Sequence, residues 1–394
     1  MGKGRTVGNA RSLPAVLIMA MLMLAGLAAC EMAQVTRGSM ERLEGGMPAT
    51  GNGTALRIEH AFEGTTSLVW GHEGSDDLRI VDDNLTTLGV LPQAGPWSIK
   101  GASISEGGVR AFVWGPQART GPDSIAIYNL TDYSVEQDYI PPGLIDMARI
   151  DYVRSMAWGL ILVVAGRSTN GTSELLFIET VPMQVLKRHP LPGNASVQYI
   201  GTDGISMVCL LEDGHLVVVS TRDWTIAHTV DALDGPASAW SLGQGKWLLG
   251  GADGTVIVWD EHYRKLDAEM HTDGPVQGVA RTVDGFNVTL IVASPGPEGG
   301  SILRAFRMWN VSDWRLATEE PWPVAVSMLG THPTRGDAVL VCGADGSVQP
   351  LEVRTWSDYV QGMRVRPFLI GGTVVLILAV AGSVLWSRRK HSHG

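Results

Sequence analysis

The stretch GGADGTVIVWDEHYRK, residues 250–265, contains the pattern that decides the fold. Asp253-Gly254 is a tight-turn pair, and the run of alternating and β-branched residues that follows it ends in Trp259-Asp260. Glycine accepts a positive φ without strain, so Asp-Gly between such runs is a strong hairpin signal. The stretch therefore predicts two antiparallel strands joined at Asp253-Gly254.

The unit before this stretch extends the pattern to four strands. Asp203-Gly204, Asp213-Gly214 and Arg222-Asp223 are turn pairs, and each lies between two apolar or β-branched runs. The turns predict a four-stranded antiparallel meander of about 36 residues. Its strands are expected at 196–202, 205–211, 215–221 and 224–230.

The same four-strand pattern recurs along the chain. Third strands of successive units are expected at 77–83, 123–129, 174–180, 215–221, 255–261, 303–310 and 347–354, which are 40 to 50 residues apart. This spacing is typical of propeller blades. One four-stranded sheet cannot bury both of its faces, whereas seven sheets packed radially can. The sequence predicts an all-β, seven-bladed β-propeller over residues 54–361, with four antiparallel strands in each blade.

Some strand ends resemble a known family. Trp259-Asp260 is the dipeptide that ends strands in WD40-like propellers, and Trp309-Asn310 and Tyr128-Asn129 are weaker versions of it. The chain is also similar to quinoprotein-like and outer-membrane assembly lipoprotein propellers. The Gly-His that opens WD40 blades occurs at Gly71-His72 and at Gly214-His215, in both cases at a different place in the unit. The resemblance covers most of residues 54–361 and implies the architecture.

The first 30 residues have the layout of a secretory signal. Lys3, Arg5 and Arg11 precede an apolar run over 13–29, which predicts a signal peptide or N-terminal anchor over 1–29. The sequence LAAC, residues 27–30, resembles a lipobox and predicts lipidation of Cys30. A plain signal peptide cut after Ala29, or an uncut anchor, is the alternative. Residues 30–53 are expected to be a polar linker.

A second apolar run lies near the other end of the chain. Residues 367–386 hold no charge, and 20 residues span about 30 Å as a helix, the thickness of a bilayer core. Arg388, Arg389 and Lys390 follow at once, and positive residues stay on the cytoplasmic side. We therefore expect a transmembrane helix at 367–386, a basic cytoplasmic tail at 387–394 and a single-pass membrane protein with an extracellular propeller.

Charge and asparagine usage agree with an outer surface. Residues 31–366 hold 40 acidic and 24 basic residues, a net charge of −16, which disfavours nucleic acid as a partner. Seven of the eight asparagines begin Asn-x-Ser/Thr, where chance placement would give about one. Together with a lipobox-like signal, they indicate a prokaryotic, and more specifically archaeal, cell surface. The predicted N-glycosylation sites are Asn52, Asn84, Asn129, Asn170, Asn194, Asn287 and Asn310.

Motifs of enzymes and metal sites are missing from the sequence. It has no Gly-x-Ser-x-Gly, His-Glu-x-x-His or Cys-x-x-Cys motif, so no catalytic residue, metal ligand or cofactor is predicted. Asp76-Asp77 and Asp82-Asp83 could ligate Ca²⁺ but are interpreted as loop and strand-end carboxylates. Cys209 and Cys342 lie in apolar runs and are expected to be buried free thiols, with a bridge between them as the alternative.

Loop length suggests where a partner would bind. Loops after second and fourth strands share one face of a propeller, and the longest are 72–76, 116–122, 166–172 and 294–300. Four sequons fall on the opposite face, and bulky glycans exclude close contact. We expect a binding surface on blades one, two and six. Its predicted residues are Glu73, Asp76, Arg119 and Glu298.

These observations predict a non-enzymatic protein-interaction scaffold. If the last unit's fourth strand ends near residue 361, the chain leaves on the face with the long loops, which would then lie near the membrane. The expected partners are the lipid bilayer and another membrane or surface protein. Two alternatives remain: a propeller enzyme, either a quinone-cofactor oxidoreductase or a glycan-processing hydrolase, and a structural component of the cell envelope.

Overall fold

A computed structural model describes most of residues 39–354. It does not describe residues 44, 48–55, 61–65, 72–77, 83, 93–97, 106, 119–120, 156–158, 203–205, 244, 261–264, 285–286, 311–312 and 333, or anything outside 39–354. Residues 40–353 group as one compact unit, and residues 1–39 and 354–394 group as a second. Of the second unit, only Ser39 and Arg354 are described.

The described chain forms seven four-stranded antiparallel sheets, as the sequence predicts. Blade 1 holds β2 (Leu56–His60), β3 (Ser67–Gly71), β4 (Leu78–Val81) and β5 (Thr87–Val90). Blade 2 holds β6 (Gly101–Ile104), β7 (Arg110–Pro116), β8 (Asp123–Asn129) and β9 (Val135–Tyr139). Blade 3 holds β10 (Leu144–Ser155), β11 (Gly159–Ser168), β12 (Ser173–Thr180) and β13 (Met183–Pro190). Blade 4 holds β14 (Val197–Thr202), β15 (Ser206–Leu211), β16 (His215–Ser220) and β17 (Ile226–Asp231).

The remaining blades follow the same order, apart from the last. Blade 5 holds β18 (Pro236–Gly243), β19 (Lys246–Gly251), β20 (Thr255–Asp260) and β21 (Lys265–His271). Blade 6 holds β22 (Gly278–Asp284), β23 (Asn287–Pro295), β24 (Ser301–Asn310) and β25 (Asp313–Trp322). Blade 7 holds β26 (Val326–Thr331), β27 (Ala338–Gly343), β28 (Val348–Arg354) and β1 (Ser39–Arg42). Two short 3-10 helices lie between strands, at Pro192–Asn194 and Pro297–Gly299.

The core of the propeller lies between the blades. Each of the seven boundaries between neighbouring blades holds one cluster of buried apolar side chains. Second and third strands such as β15 and β16 contribute to the clusters on both of their faces, which is why their sequences are continuous apolar runs. Fourth strands such as β17 alternate between half-buried and exposed residues because one side of each contacts solvent. First strands of neighbouring blades lie against one another and form the inner ring.

Blade 7 closes the ring with a strand from the other end of the chain. β1 is hydrogen-bonded to β28, and the pairing with β28 continues in the residues that follow β1. The Leu43 amide donates to the Pro350 carbonyl at 3.0 Å, and the Met47 amide donates to the Val348 carbonyl at 2.8 Å. Met47 is buried in the cluster between blades 7 and 1. The Arg42 guanidinium lies 4.3 Å from the ring centre of Trp322 in blade 6. The first and last described strands therefore hold each other in one sheet.

This closure corrects two sequence predictions. Residues 30–53 were expected to be a polar linker, but β1 lies within this segment and forms the outer strand of blade 7. The fourth strand of the last unit was expected just before residue 361, and β1 occupies that position instead. A local sequence pattern can indicate a strand, but it does not identify a pairing partner that lies about 300 residues away.

The predicted membrane segments lie outside the described residues. These are 1–29 with Cys30, the span 367–386 and the tail 387–394. Among the residues that are described, no helix has the length and apolar character of a membrane span.

Candidate binding surfaces

The antiparallel order of the strands gives the propeller two distinct faces. The loops after second and fourth strands lie on one face, here called the loop face. The turns after first and third strands lie on the other, here called the turn face. β28 is a third strand and runs antiparallel to the segment that contains β1, so β1 begins and β28 ends on the turn face. This corrects the expectation that the chain leaves on the loop face.

The predicted glycosylation sites are divided unequally between the faces. Four of them lie on the turn face. Three end or follow third strands, namely Asn84, Asn129 and Asn310, and one, Asn287, follows a first strand. Asn170 follows β11 and Asn194 follows β13, so both lie on the loop face, where both are exposed. Asn52 lies outside the described residues.

Only one of the four predicted binding residues is described. Glu298 is exposed on the loop face, within the 3-10 helix Pro297–Gly299, and has a positive φ of 58°. Glu73, Asp76 and Arg119 lie in gaps of the described chain. Their joint role therefore stays a prediction.

Two of the long loop-face loops are held by their own backbone. In 166–172, the Ser168 amide donates to the Thr172 carbonyl at 2.8 Å, and the two hydroxyls lie 2.7 Å apart. In 294–300, the Gly296 amide donates to the Gly300 carbonyl at 2.9 Å. Both loops are thus fixed platforms on the rigid sheets. The 294–300 loop carries no sequon and is suited to present side chains to a partner, whereas the 166–172 loop contains the predicted glycosylation site Asn170.

An ionic network ties blades 2 and 3 together on the loop face. Lys100 Nζ lies 2.9 Å from Asp123 Oδ2 and 2.6 Å from Asp146 Oδ1. Asp123 is fully buried and also accepts the Met147 amide at 2.6 Å. Burial lowers the pKa of Lys100, but the hydrogen bonds to both carboxylates outweigh burial, so this pKa lies above its usual range. The network is structural, since its groups satisfy one another.

A groove opens between blades 4 and 5 at the rim of the loop face. We call it the interblade groove, and its cavity measures about 240 Å³. One wall is the end of β17 and the connection after it; the other comes from β20, β21 and the turn before β20. Nine residues line it: Asp231, Ala232, Leu233, Asp234, Asp253, Thr255, Ile257, Trp259 and Glu269.

Both walls of the interblade groove are fixed by turns. Gly214 has a φ of +92°, and its carbonyl accepts the Ala232 amide at 3.1 Å. A Cβ at Gly214 would overlap the Leu233 carbonyl, so glycine alone fits here. In the opposite wall, Asp253 Oδ1 accepts the Thr255 amide at 2.9 Å and Oδ2 accepts its hydroxyl at 2.7 Å. These bonds lower the pKa of Asp253 despite the opposing effect of burial, so the carboxylate stays charged.

The turn face carries a second ionic network, beside the end of β28. Arg335 donates from Nε and Nη2 to the two oxygens of Asp337, at 3.1 and 3.0 Å. The same Nη2 lies 2.8 Å from Oε2 of Glu352, a buried residue of β28. The hydrogen bonds from Arg335 lower the pKa of Asp337, although burial opposes this shift. The network fixes β28 to the turn between β26 and β27.

The two described cysteines are buried and form no disulfide, as the sequence predicts. Cys209 lies in the cluster between blades 3 and 4, and Cys342 lies in the cluster between blades 7 and 1. Burial raises the pKa of the Cys342 thiol to about 12. Neither is poised for chemistry.

Among the described residues, no group of three or more His, Cys, Asp or Glu side chains is placed to hold a metal ion. Asp82, one of the carboxylates considered for Ca²⁺, accepts the backbone amides of Asn84 and Thr86 at 2.9 and 2.7 Å and so shapes a turn. Asp76, Asp77 and Asp83 lie outside the described residues.

The closed ring and its two faces define the chain as a seven-bladed β-propeller. No protein-family model and no curated protein matches the sequence. Among solved structures, one chain of the crystal structure of the mitotic checkpoint complex has a TM-score of 0.62 and 11% sequence identity. The match covers 79% of this chain and 91% of that one. In all, 1505 solved chains match, so the likeness shows a widely used fold and does not specify a ligand.

The interblade groove was missed by sequence reasoning. One of its four carboxylates, Asp253, was visible in the sequence because it follows Asp213 by 40 residues in the Asp-Gly turns of neighbouring blades. That repeat marks turns, but it does not show which boundary between blades is concave.

Proposed function

We propose that this chain is a membrane-anchored extracellular β-propeller that acts as a protein-interaction scaffold. The observation that carries the proposal is the unequal use of the two faces. Four sequons and both ends of the described chain lie on the turn face, whereas the closed loops and the interblade groove lie on the loop face. One face thus suits glycans and tethers, and the other is left for a partner.

The position of the ends supports a different orientation for the proposed anchored molecule from the one expected from the sequence. Residues 367–386 are proposed to span the membrane, and residues after 354 lead to them from the turn face. Residues before 39 lead from the same face to Cys30, the proposed lipidation site. We infer that the turn face lies toward the membrane and the loop face points away from it. The partner would then be a surface protein, or the outer domain of a membrane protein, that approaches from outside the cell.

The similar solved structure is compatible with a scaffold. That chain belongs to the mitotic checkpoint complex, which supports protein binding as a use of the fold here. The excess of sequons and the net charge of −16 over residues 31–366 support a prokaryotic, archaeal-type cell surface and argue against nucleic acid as a partner.

Affinity capture from solubilised native membranes tests this function. We expect the full-length chain to retain one or more surface proteins, and we expect replacement of Glu298 and its loop to reduce that retention. Protease treatment of intact cells provides a separate test of location. A propeller that survives shaving of intact cells but is cut after lysis would contradict the extracellular placement, and capture of no protein would contradict the scaffold role.

A further inference from the structure

The charge of the interblade groove has one sign. Four of the nine lining residues are carboxylates, at Asp231, Asp234, Asp253 and Glu269, and none is Lys or Arg. Among the described residues, the side chains beside these carboxylates that could carry a positive charge are two histidines. His215 lies 2.9 Å from Asp231, and His271 lies 3.3 Å from Glu269. A concave surface of this kind attracts a cationic group and repels an anionic one.

The inner surface of the groove is apolar and aromatic. Ile257 is buried, and Leu233 and Trp259 pack against the cluster between blades 4 and 5. The Trp259 indole nitrogen is buried and has no hydrogen-bond acceptor among the described residues. Lys and Arg cover apolar surface with their methylene stems while the charged group stays at a polar rim. A Trp ring beside such a stem adds a large apolar contact area.

The size of the groove restricts its occupant. Pockets for drug-sized ligands measure about 300–1,000 Å³, so a cavity of about 240 Å³ suits one or two side chains better than a cofactor. The backbone and side-chain bonds of its two walls fix the groove, so little ordering is needed on binding. No sequon lies in the loop-face segments 232–235 or 252–254 that border it.

We propose that the interblade groove is a docking site for a Lys- or Arg-bearing segment of a partner protein. The cationic group would lie among Asp231, Asp234 and Glu269, and the methylene stem would lie against Trp259 and Ile257. This inference rests on the proposed scaffold function and gives the partner a chemistry. The groove lies on blades 4 and 5, and so it is distinct from the surface predicted on blades one, two and six.

The test uses full-length protein in detergent micelles and a fluorescein-labelled octapeptide with two arginines separated by glycine and serine. Anisotropy titrations would compare the wild type with the D234N/E269Q variant, which removes two charges at constant shape. The matched control is D138N/E320Q, because both of these carboxylates are exposed on outer strands of other blades. A second peptide carries glutamine in place of both arginines.

We expect D234N/E269Q to bind the arginine peptide about tenfold more weakly than wild type, and D138N/E320Q to bind it within about twofold of wild type. The glutamine peptide should bind none of the three proteins. Equal weakening by both variants would overturn the proposal in favour of general acidic attraction. Calcium binding lost in D234N/E269Q, or a wild-type dimer lost in that variant, would overturn it in favour of a metal or a second copy.

Capture from native membranes separates this inference from the function on which it rests. If wild-type protein and D234N/E269Q retain the same partners, the groove proposal fails and the scaffold role stands. If neither retains any protein, the scaffold role itself fails. Unchanged thermal unfolding of the variant, measured alongside, excludes loss of the fold as the cause of weaker binding.

Discussion

At the scale of single residues, backbone conformation decides which turns the propeller can form. Gly214 and Gly171 both have positive φ, of +92° and +79°. A Cβ at Gly171 would meet nothing within 4 Å, whereas a Cβ at Gly214 would overlap the Leu233 carbonyl. The two positions therefore separate the cost of a left-handed backbone from the cost of a steric clash.

We expect Gly171→Ala to lower the free energy of unfolding by about 1 kcal/mol, the cost of placing an alanine in the left-handed region. Gly214→Ala should cost about 3 kcal/mol or more, because the wall of the interblade groove must also move. Urea unfolding followed by circular dichroism measures both. Equal losses for the two variants would show that the contact with Leu233 does not constrain the turn.

A second residue-scale prediction concerns acid stability. The pKa of Asp337 lies below its ordinary value of 3.8, mainly because Arg335 donates hydrogen bonds to its carboxylate. Burial acts in the opposite direction but is the smaller effect. A lowered folded-state pKa stabilises the fold above pH 3.8, and this contribution is lost as the pH falls through the folded-state pKa. The pair is partly exposed, so solvent screening limits it to about 0.5 kcal/mol.

Asp337→Asn should therefore lower the melting temperature at pH 7, and the difference from wild type should shrink as the pH falls below 3.8. Scanning calorimetry from pH 7 to pH 3 measures this trend. Asp138→Asn is the control, since Asp138 is exposed on the outer strand of blade 2. A difference for Asp337→Asn that stays constant down to pH 3 would mean that the carboxylate contributes by packing and not by charge.

At the scale of elements, strands could be predicted from sequence far better than their partners. All seven expected third strands are present, because Asp-Gly turns and β-branched runs are local signals. The closing strand β1 was missed because its sequence, SMER, is short and polar and its partner is β28.

The conformation of Trp224 was also not predicted. It was expected in a strand, but it lies in the connection before β17 with a φ of +57° and packs on Phe177 at a ring distance of 5.0 Å. Packing against the neighbouring blade favours this conformation of Trp224, and the sequence of one strand carries no information about that packing.

The closing strand gives an element-scale prediction. Met40 of β1 packs against the cluster between blades 6 and 7, while its neighbour Glu41 is exposed. Met40→Ala should cost about 1–2 kcal/mol, less than a fully buried methionine, because the side chain is only partly buried. Glu41→Ala should cost under about 0.5 kcal/mol.

Limited proteolysis at rising temperature measures the consequence for ring closure. In Met40→Ala, we expect cleavage near β1 and β28 to begin at a lower temperature than in wild type or Glu41→Ala, since these strands hold blade 7 together. Identical cleavage in all three proteins would show that β1 is not needed to keep the ring closed.

At the scale of the whole molecule, the position of the two ends makes the proposed orientation at the membrane testable. Since β1 begins and β28 ends on the turn face, the tethers proposed at both ends would hold the loop face outward. The buried thiols of Cys209 and Cys342 give little background to cysteine labelling. Single cysteines can therefore be placed at Glu298 on the loop face and at Arg222 on the turn face of blade 4, whose third-to-fourth-strand turn contains no sequon.

We expect Glu298→Cys on intact cells to react with a small maleimide and with a large polyethylene-glycol maleimide at the same ratio of rates as in detergent-solubilised, deglycosylated protein. Arg222→Cys should react with the small reagent but several-fold more slowly with the large one, because the bilayer and neighbouring glycans restrict access to the turn face. Detergent-solubilised, deglycosylated protein is the control, in which both positions should react alike. The opposite order on cells would place the loop face against the membrane, and the interblade groove could then serve only a partner within the same membrane.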